Sequence, residues 1–446
     1  MPPEPADAGP TELSESLTRL DSLVSPFVGV VRMVEEVLVA PDDLRRANIY
    51  CETGDASALV GGGGSQTGGG SGTDRRSARA AALGEAVERY SACFTDDADA
   101  VIASADELDG HAVEPDLFAL FSPEQLATPG FPYAPFTRET RLAWVRARRL
   151  PDGEDAYVPA QLVYLAWRRH PAEAAIARST SSGLACRPRL DEACLTGLLE
   201  LLERDAFMLT WGARLSWPRL TWDGNARLDG FGRHQLGPTG LHCSALDLSS
   251  VWDVPCALGV VRSTANGEAP LGVGAAAAAT IEQAIEKALD EACRVRSWAR
   301  ALRAQDPRGD QVVPPADIRE FDDHIRYYAY DANAARTTFL DSSRATRDAR
   351  DVMPLPSSTA AALRAACDRL AERGVSAYVV DVTAPDVRAA GLRVAKVVAP
   401  ELCSLDVEHE ARFLGGRRRY EEPARLGLRR RPLAARDLNP DPHPFP

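Results

Sequence analysis

The apolar positions of this chain switch between a period near two and a period near 3.6, and the switch points divide it into elements. FVGVVRMVEEVLVA (27–40) is β-branched and partly alternating, which predicts a strand. AWVRARRL (143–150) and AYVPAQLVYLAW (156–167) read the same way. Three short strands with turns are expected across 244–279. Helical spacing governs ALGEAVERY around Glu85, LTGLLELLERDAF (195–207) and TIEQAIEKALDEACRVRSWARAL (280–302). Further on, HIRYYAYDA (324–332) predicts a strand. TAAALRAACDRLAERG (359–374) predicts a helix ended by Gly374, and SAYVVDVTAPD and LRVAKVVAP predict two closing strands. The fold class implied is α+β, with mixed or antiparallel sheets and packed acidic helices. Residues 1–24 form a lead-in, disordered to about 12 and weakly helical after it. Residues 25–420 form the body, with an α+β subregion over 325–420, and 421–446 an Arg- and Pro-rich tail.

Two of the helices carry the same local pattern, Glu-x-x-Glu-Arg. One copy is Glu85, Glu88 and Arg89; the other is Glu200, Glu203 and Arg204. Residues three apart lie one turn apart on one helix face. The second copy is flanked by Leu195, Leu198, Leu199, Leu201, Leu202 and Phe207, and carboxylates among such neighbours are costly unless paired or metal-bound. At about 100° per residue, Glu192, Glu200 and Glu203 share one sector. A face that holds divalent cations and a set of intrahelical Glu–Arg bridges are equal readings on spacing alone. The third helix adds Glu282, Glu286, Asp290 and Glu291, of which Glu282 and Glu286 read as a solvated face.

Charge and cysteine usage narrow the chemistry. A net charge of −13 argues against a nucleic-acid partner. No apolar run reaches the roughly 18 residues of a membrane helix, and the acidic, Pro-rich start is no signal peptide, so a cytoplasmic protein is expected. Nine cysteines without Cys-x-x-Cys spacing, and seven scattered histidines, read as buried free thiols rather than a zinc site or disulfide framework. GGGGSQTGGGSG (61–72) lacks the Lys and Ser/Thr of a Walker loop and reads as a flexible surface loop; its place before a helix keeps a phosphate contact open. At the C-terminus Pro442, Pro444 and Pro446 alternate. Such an end is either an untethered tail or a stiffened strand that delivers its carboxylate to a site as a base.

Three segments together resemble the YcaO family of ATP-dependent amide-activating enzymes: GGGSGTDRRSARAAALGEAVERYSA (68–92), STSSGLACRPRLDEACLTGLLELLERDAF (179–207) and GVGAAAAATIEQAIEKALDEACRVR (272–296). The resemblance spans most of residues 25–420. It implies ATP and Mg2+ as cofactors, with Glu85, Glu88, Glu192, Glu200 and Glu203 as metal ligands. It implies Ser71, Arg89, Arg204, Glu291 and Arg294 as nucleotide-site residues. Ser71 stands where many members have Lys, Ala81 where Ser is usual, and Pro188 where some have Asn.

The alternating prolines resemble the ending of azoline-forming members, in which the C-terminus approaches the active site. This implies an ATP-dependent peptide cyclodehydratase that closes Cys, Ser or Thr side chains of a ribosomally made precursor peptide to thiazoline or (methyl)oxazoline, with the Pro446 carboxylate as base. The alternatives are thioamide or amidine formation by the same activation, and an inactive peptide-binding scaffold. The partners implied are the precursor peptide, a separate ThiF-like leader-peptide-binding protein and a flavin-dependent azoline dehydrogenase. Assembly as a homodimer stays open.

Overall fold

The computed structural model describes residues 10–55, 57, 64–95, 100–263, 269–306 and 314–445. Most of the lead-in expected to be disordered, part of the linker after residue 304, and Pro446 lie outside the described residues. Helix α1 (Pro10–Asp21) precedes an antiparallel sheet of β1 (Val31–Glu36), β2 (Ala47–Thr53) and β3 (Thr67–Gly72), on which α2 (Arg75–Cys93) lies. Strands β4 (Ala100–Ala103), β5 (Leu142–Arg149), β6 (Asp155–Pro159) and β7 (Leu184–Arg187) come next, then α3 (Leu190–Gly212). Strands β8 (Arg219–Thr221), β9 (His242–Asp247), β10 (Cys256–Arg262) and β11 (Leu271–Ala277) are covered by α4 (Ile281–Ala304). The main elements end with α5 (Phe321–Tyr327), β12 (Thr346–Asp348), α6 (Thr359–Ala371), β13 (Tyr378–Asp381), β14 (Arg393–Val398) and α7 (Arg418–Arg425).

Topology makes one body of these pieces. The second sheet runs β4-β5-β13-β14-β7, with β6 on β5, so the C-terminal strands sit between strands from residues 100–187. The third runs β11-β10-β9-β8-β12 and is mixed, because β12 joins β8 in parallel. The largest apolar cluster joins α3, the third sheet, α6 and the end of the chain, with Phe207, Met208, Leu258 and Phe445 all fully buried. No helix among the described residues is long and apolar enough to cross a membrane.

Each acidic helix is seated on glycine. A Cβ on Gly68, Gly70 or Gly72 of β3 would stand 2.4, 2.2 or 2.2 Å from Ala82 O, Ala78 O or Ser77 Oγ of α2. The Gly-rich stretch therefore ends in a strand and not in the flexible loop its composition suggested. Its glycines are there for close backbone approach. Asp74 caps α2 by accepting from the amides of Arg76 and Ser77, which fixes where the helix starts on that strand. On the third sheet, Cβ atoms at Gly259, Gly272 and Gly274 would stand 2.4, 2.0 and 2.5 Å from the α4 backbone. For α3, a Cβ on Gly197 would stand 2.4 Å from Gly183 O. Gly183 itself has φ +81°, a conformation that favours glycine.

Two other expectations change. HIRYYAYDA begins inside α5 rather than forming a strand. Its aromatic residues mimic a strand in composition, but His324, Tyr327 and Tyr328 are buried with helical spacing. Ala160–Val163, inside the stretch read as a strand from 156 to 167, form a helical turn. Of the two readings of the C-terminal segment, residues 442–445 fit the docked one. Phe445 and His443 are 0% and 1% exposed, and the Phe445 ring lies 4.6 Å from that of Phe207 on α3. His324 stacks on His443 at 4.1 Å, and Tyr328 donates to Pro442 O. Burying Phe445 alone stabilises the docked end by roughly 1.5–3 kcal/mol.

Candidate active site

Five glutamates from three helices accept one backbone N–H each from a neighbouring strand or turn. Glu85 accepts from Gly69 of β3 at 2.8 Å, and Glu88 from Cys186 of β7 at 2.7 Å. Glu200 accepts from Gly183 at 3.1 Å, Glu203 from Ala277 of β11 at 3.1 Å, and Glu291 from Ala275 of β11 at 2.9 Å. These bonds depend on the glycine seats, because only closely laid helices bring their carboxylates to strand amides. One oxygen of each carboxylate is thereby fixed in place.

The second oxygens divide the five into two kinds. Glu85 gives its other oxygen to Arg89 at 2.6 Å, and Glu200 gives its to Arg204 at 2.7 Å. The intrahelical bridge was one of the two readings of the repeated motif, and in each copy it uses the first glutamate. Glu88, Glu203 and Glu291 make no second hydrogen bond or ion pair among the described residues. Burial pushes Glu88 up to about 8, with the Glu200 and Glu85 charges adding to it against Arg187 and the Cys186 amide. Burial also raises Glu203, reinforced by the charge of Glu291, and it raises Glu291. Half-buried like charges with open oxygens are a donor set that a cation would relieve.

Glu200 is the electrostatic centre. Its charge acts on Glu88, Glu203 and Glu291, and also on Lys396 of β14. Lys396 is 4% exposed and donates to Thr180 O at 2.6 Å and Ser182 O at 2.7 Å. Burial pulls its ammonium down to about 7. With Arg204 it lines a small cavity of about 80 Å³. Arg204 has a buried Nε without a hydrogen-bond partner among the described residues, and its guanidinium stands 5.7 Å from the Phe445 ring. Lys396 was not singled out from the sequence. The available signal was that it is one of only two lysines among 51 basic residues.

The remaining sequence candidates lie around this centre. Glu85, Arg89, Ser71 and Arg294 line a cavity of about 680 Å³ with Asp290, Tyr50, Leu38 and Trp298. Ser71 donates to Asp290 at 3.0 Å, which ties β3 to α4. Arg294 is exposed and pairs with Asp290 at 3.5 Å. Two buried polar atoms of this wall, Arg46 Nη2 and Asn48 Oδ1, have no hydrogen-bond partner. Glu192 belongs to the same helix as Glu200. It sits in the first turn of α3 beside Arg189 at 3.8 Å. Glu282 and Glu286 are not a solvated face, for Asn225 donates to Glu282 and Arg227 bridges to Glu286 at 2.9 Å.

Among the described residues, no three acidic, His or Cys side chains converge into a closed cation site. Mg2+ commonly takes only one or two carboxylates and completes its shell with waters and substrate phosphates. A row of half-satisfied carboxylates, two arginines and a roomy cavity fits that manner of binding.

Comparisons with known proteins bear on the fold and the family. A solved structure described as a heterocyclase in complex with substrate and cofactor matches 97% of this chain and 57% of its own, at 24% identity and a TM-score of 0.78. The YcaO protein of Methanopyrus kandleri, solved with AMPPCP and Mg2+, matches 90% of this chain and 93% of its own, at 20% identity and a TM-score of 0.61. At such identities the likeness establishes the fold. An uncharacterized protein of Methanothermobacter thermautotrophicus is 33% identical over 140 residues, which is 31% of this chain and 33% of that protein. The chain thus spans little more than half the heterocyclase's length, and aligns with a third of the archaeal relative's. The family model described as YcaO cyclodehydratase, ATP- and Mg2+-binding, matches residues 69–403. Those residues include both Glu-x-x-Glu-Arg helices, the third acidic helix and Lys396, and the chain belongs to the YcaO family of ATP- and Mg2+-binding cyclodehydratases.

Proposed function

We propose that this chain is an azoline-forming peptide cyclodehydratase. The observation that carries the reading is the set of five glutamates pinned by backbone amides, three of them with an open oxygen, beside Arg204, Lys396 and the buried end of the chain. In the reaction, a Cys, Ser or Thr side chain of the precursor peptide attacks the preceding amide carbonyl. The amide oxygen takes the γ-phosphoryl group of ATP and leaves as phosphate, and the ring closes with a C=N bond. The net change in the peptide is loss of one water. Mg2+, when bound, offsets the negative charge on the transferring phosphoryl group.

Glu88, Glu203 and Glu291 have the oxygens to hold the metal, with Glu85 and Glu200 completing the acidic row. Glu192 is assigned as a ligand on the family resemblance alone. Arg89 and Arg204 face the row as phosphate partners, and Ser71 and Arg294 belong to the nucleotide side of the larger cavity. The Pro446 carboxylate is assigned as the base that takes the nucleophile's proton. Its neighbour Phe445 packs between Phe207 and Arg204, one turn of α3 from Glu203, which supports that assignment. Leader-peptide recognition by a separate ThiF-like protein, and later oxidation by a flavin-dependent dehydrogenase, are proposed on the family resemblance.

The test is mass spectrometry of a precursor peptide incubated with the chain, its leader-binding partner, ATP and Mg2+. Loss of one water per modified Cys, Ser or Thr is expected. Exchange of oxygen for sulfur would assign the chain to thioamide formation instead. Absence of Mg2+-dependent ATP binding would leave only a scaffold role.

A further inference from the structure

Two cysteines face each other across the glycine-seated contact between the third sheet and α4. Cys243 lies in β9, in register with Val261 of β10, which is in register with Gly272 of β11. That row faces α4, because a Cβ on Gly272 would stand 2.0 Å from Ala292 O. Cys293 is the next residue on α4. Its thiol interacts with that of Cys243, and both belong to the same apolar cluster.

The two thiols differ in access. Eight of the nine cysteines are buried, and Cys243 is the one that is partly exposed. Strand β8 pairs with β9 only at Arg219 and Leu246, so among the described residues the Cys243 end of β9 has no strand on that side. Cys293, 3% exposed, lines the 680 Å³ cavity with Asp290 and Arg294 of the same helix.

We propose that Cys243 and Cys293 are a reversible disulfide site whose closure weakens nucleotide binding. The oxidant is a small-molecule disulfide such as oxidised glutathione. The Cys243 thiolate attacks one glutathione sulfur, forming a mixed disulfide and releasing one glutathione thiolate. Cys293, losing its proton, then attacks the Cys243 sulfur and releases the second. Two protein thiols become one disulfide and one glutathione disulfide becomes two thiols, so electrons and atoms balance. The interaction with Cys293 holds the Cys243 thiol below its ordinary range, which suits it to be the attacking group.

The consequence follows from packing. A disulfide needs its two Cα atoms within roughly 4.4–6.8 Å. A bond to β9 at Cys293 fixes α4 within one turn of Asp290, Glu291 and Arg294 in the geometry the disulfide demands. The contacts of Ser71 with Asp290 and of Glu291 with the Ala275 amide then shift together.

The inference rests on the nucleotide-site reading for its effect but not for its chemistry. The full chain is incubated with oxidised glutathione, digested and searched for a linked Cys243–Cys293 peptide. Mg2+–ATP affinity is measured before and after. The linked peptide is expected, with affinity about tenfold weaker and restored by dithiothreitol. Cys243→Ser should bind ATP normally and ignore the oxidant, and Cys243→Ala serves if that variant folds poorly. Failure to form the link, linkage of other cysteines, or a link without change in affinity each overturns the proposal. Absence of ATP binding in the reduced chain would instead overturn the function on which the effect rests.

Discussion

The two Glu-x-x-Glu-Arg helices share a motif and differ in what surrounds it. In α2, Glu85 and Arg89 keep about a third of their side-chain surface, at 34% and 31%, and line the wide cavity. In α3, Glu200 and Arg204 keep 24% and 15%, and Glu203 meets Glu291 from another helix. Both copies spend their first glutamate on the internal arginine and leave the second with an open oxygen. The motif is thus one device for holding a carboxylate half-satisfied. Its energetic weight depends on burial, which makes α2 the rim and α3 the hub of the site.

The largest effect is expected at the hub. Glu203→Gln should weaken Mg2+–ATP binding by more than about 100-fold, beyond the loss typical of an outer-shell partner. Thermal stability should hold or rise, because the change removes one of two half-buried like charges at nearly constant volume. A parallel fall in melting temperature and affinity would mark Glu203 as structural.

Removing Pro444–Pro446 comes next. Cyclisation, followed by peptide mass, should fall more than ATP affinity, because the assigned base is removed while residues 442–445 do not line the wide cavity. The docked end should also open, so stability should drop by a few kcal/mol, roughly the value of one buried aromatic side chain. Equal loss of cyclisation and ATP binding contradicts a base role for the terminal carboxylate.

At the rim the effect shrinks. Glu85→Gln should weaken Mg2+–ATP by about tenfold, since the partly exposed pair with Arg89 is screened by water. A loss as large as that of Glu203→Gln would erase the distinction between hub and rim.

The smallest effect is in pH. Glu88 stands near 8 in the folded chain against an ordinary 4.5. Its contribution to apo stability is fully present below 4.5 and is lost as pH rises through 8. Metal binding needs the ionised carboxylate, so Mg2+ affinity should rise with pH up to about 8 and level off above it. The slope cannot exceed tenfold per unit for one proton. Glu88→Gln should flatten it, and calorimetry in two buffers of different ionisation heat would count the released proton.

Much of this was legible in the chain. Helices α2, α3 and α4 and their acidic residues followed from period and spacing, as did β13, β14 and the stop at Gly374, which has φ +70°. What failed shares one cause. The strand character of β3 and the helical character of α5 are set by tertiary contact. Gly68, Gly70 and Gly72 look flexible until a helix is laid on them. His324 and Tyr328 look strand-like until the C-terminal segment is packed against them. Lys396 carries no local motif, and its place beside Glu200 arises only when β14 inserts next to β7. The strand amides that pin the glutamates are likewise invisible in a linear reading.

The most direct measurement is a calorimetric titration of ATP into the chain with and without Mg2+, for the natural sequence and for Glu203→Gln. We expect binding that requires Mg2+ in the natural chain and is lost in the variant while its melting temperature holds. ATP binding of equal strength in both chains, or independent of Mg2+, would contradict the assignment of the acidic row as the metal–nucleotide site.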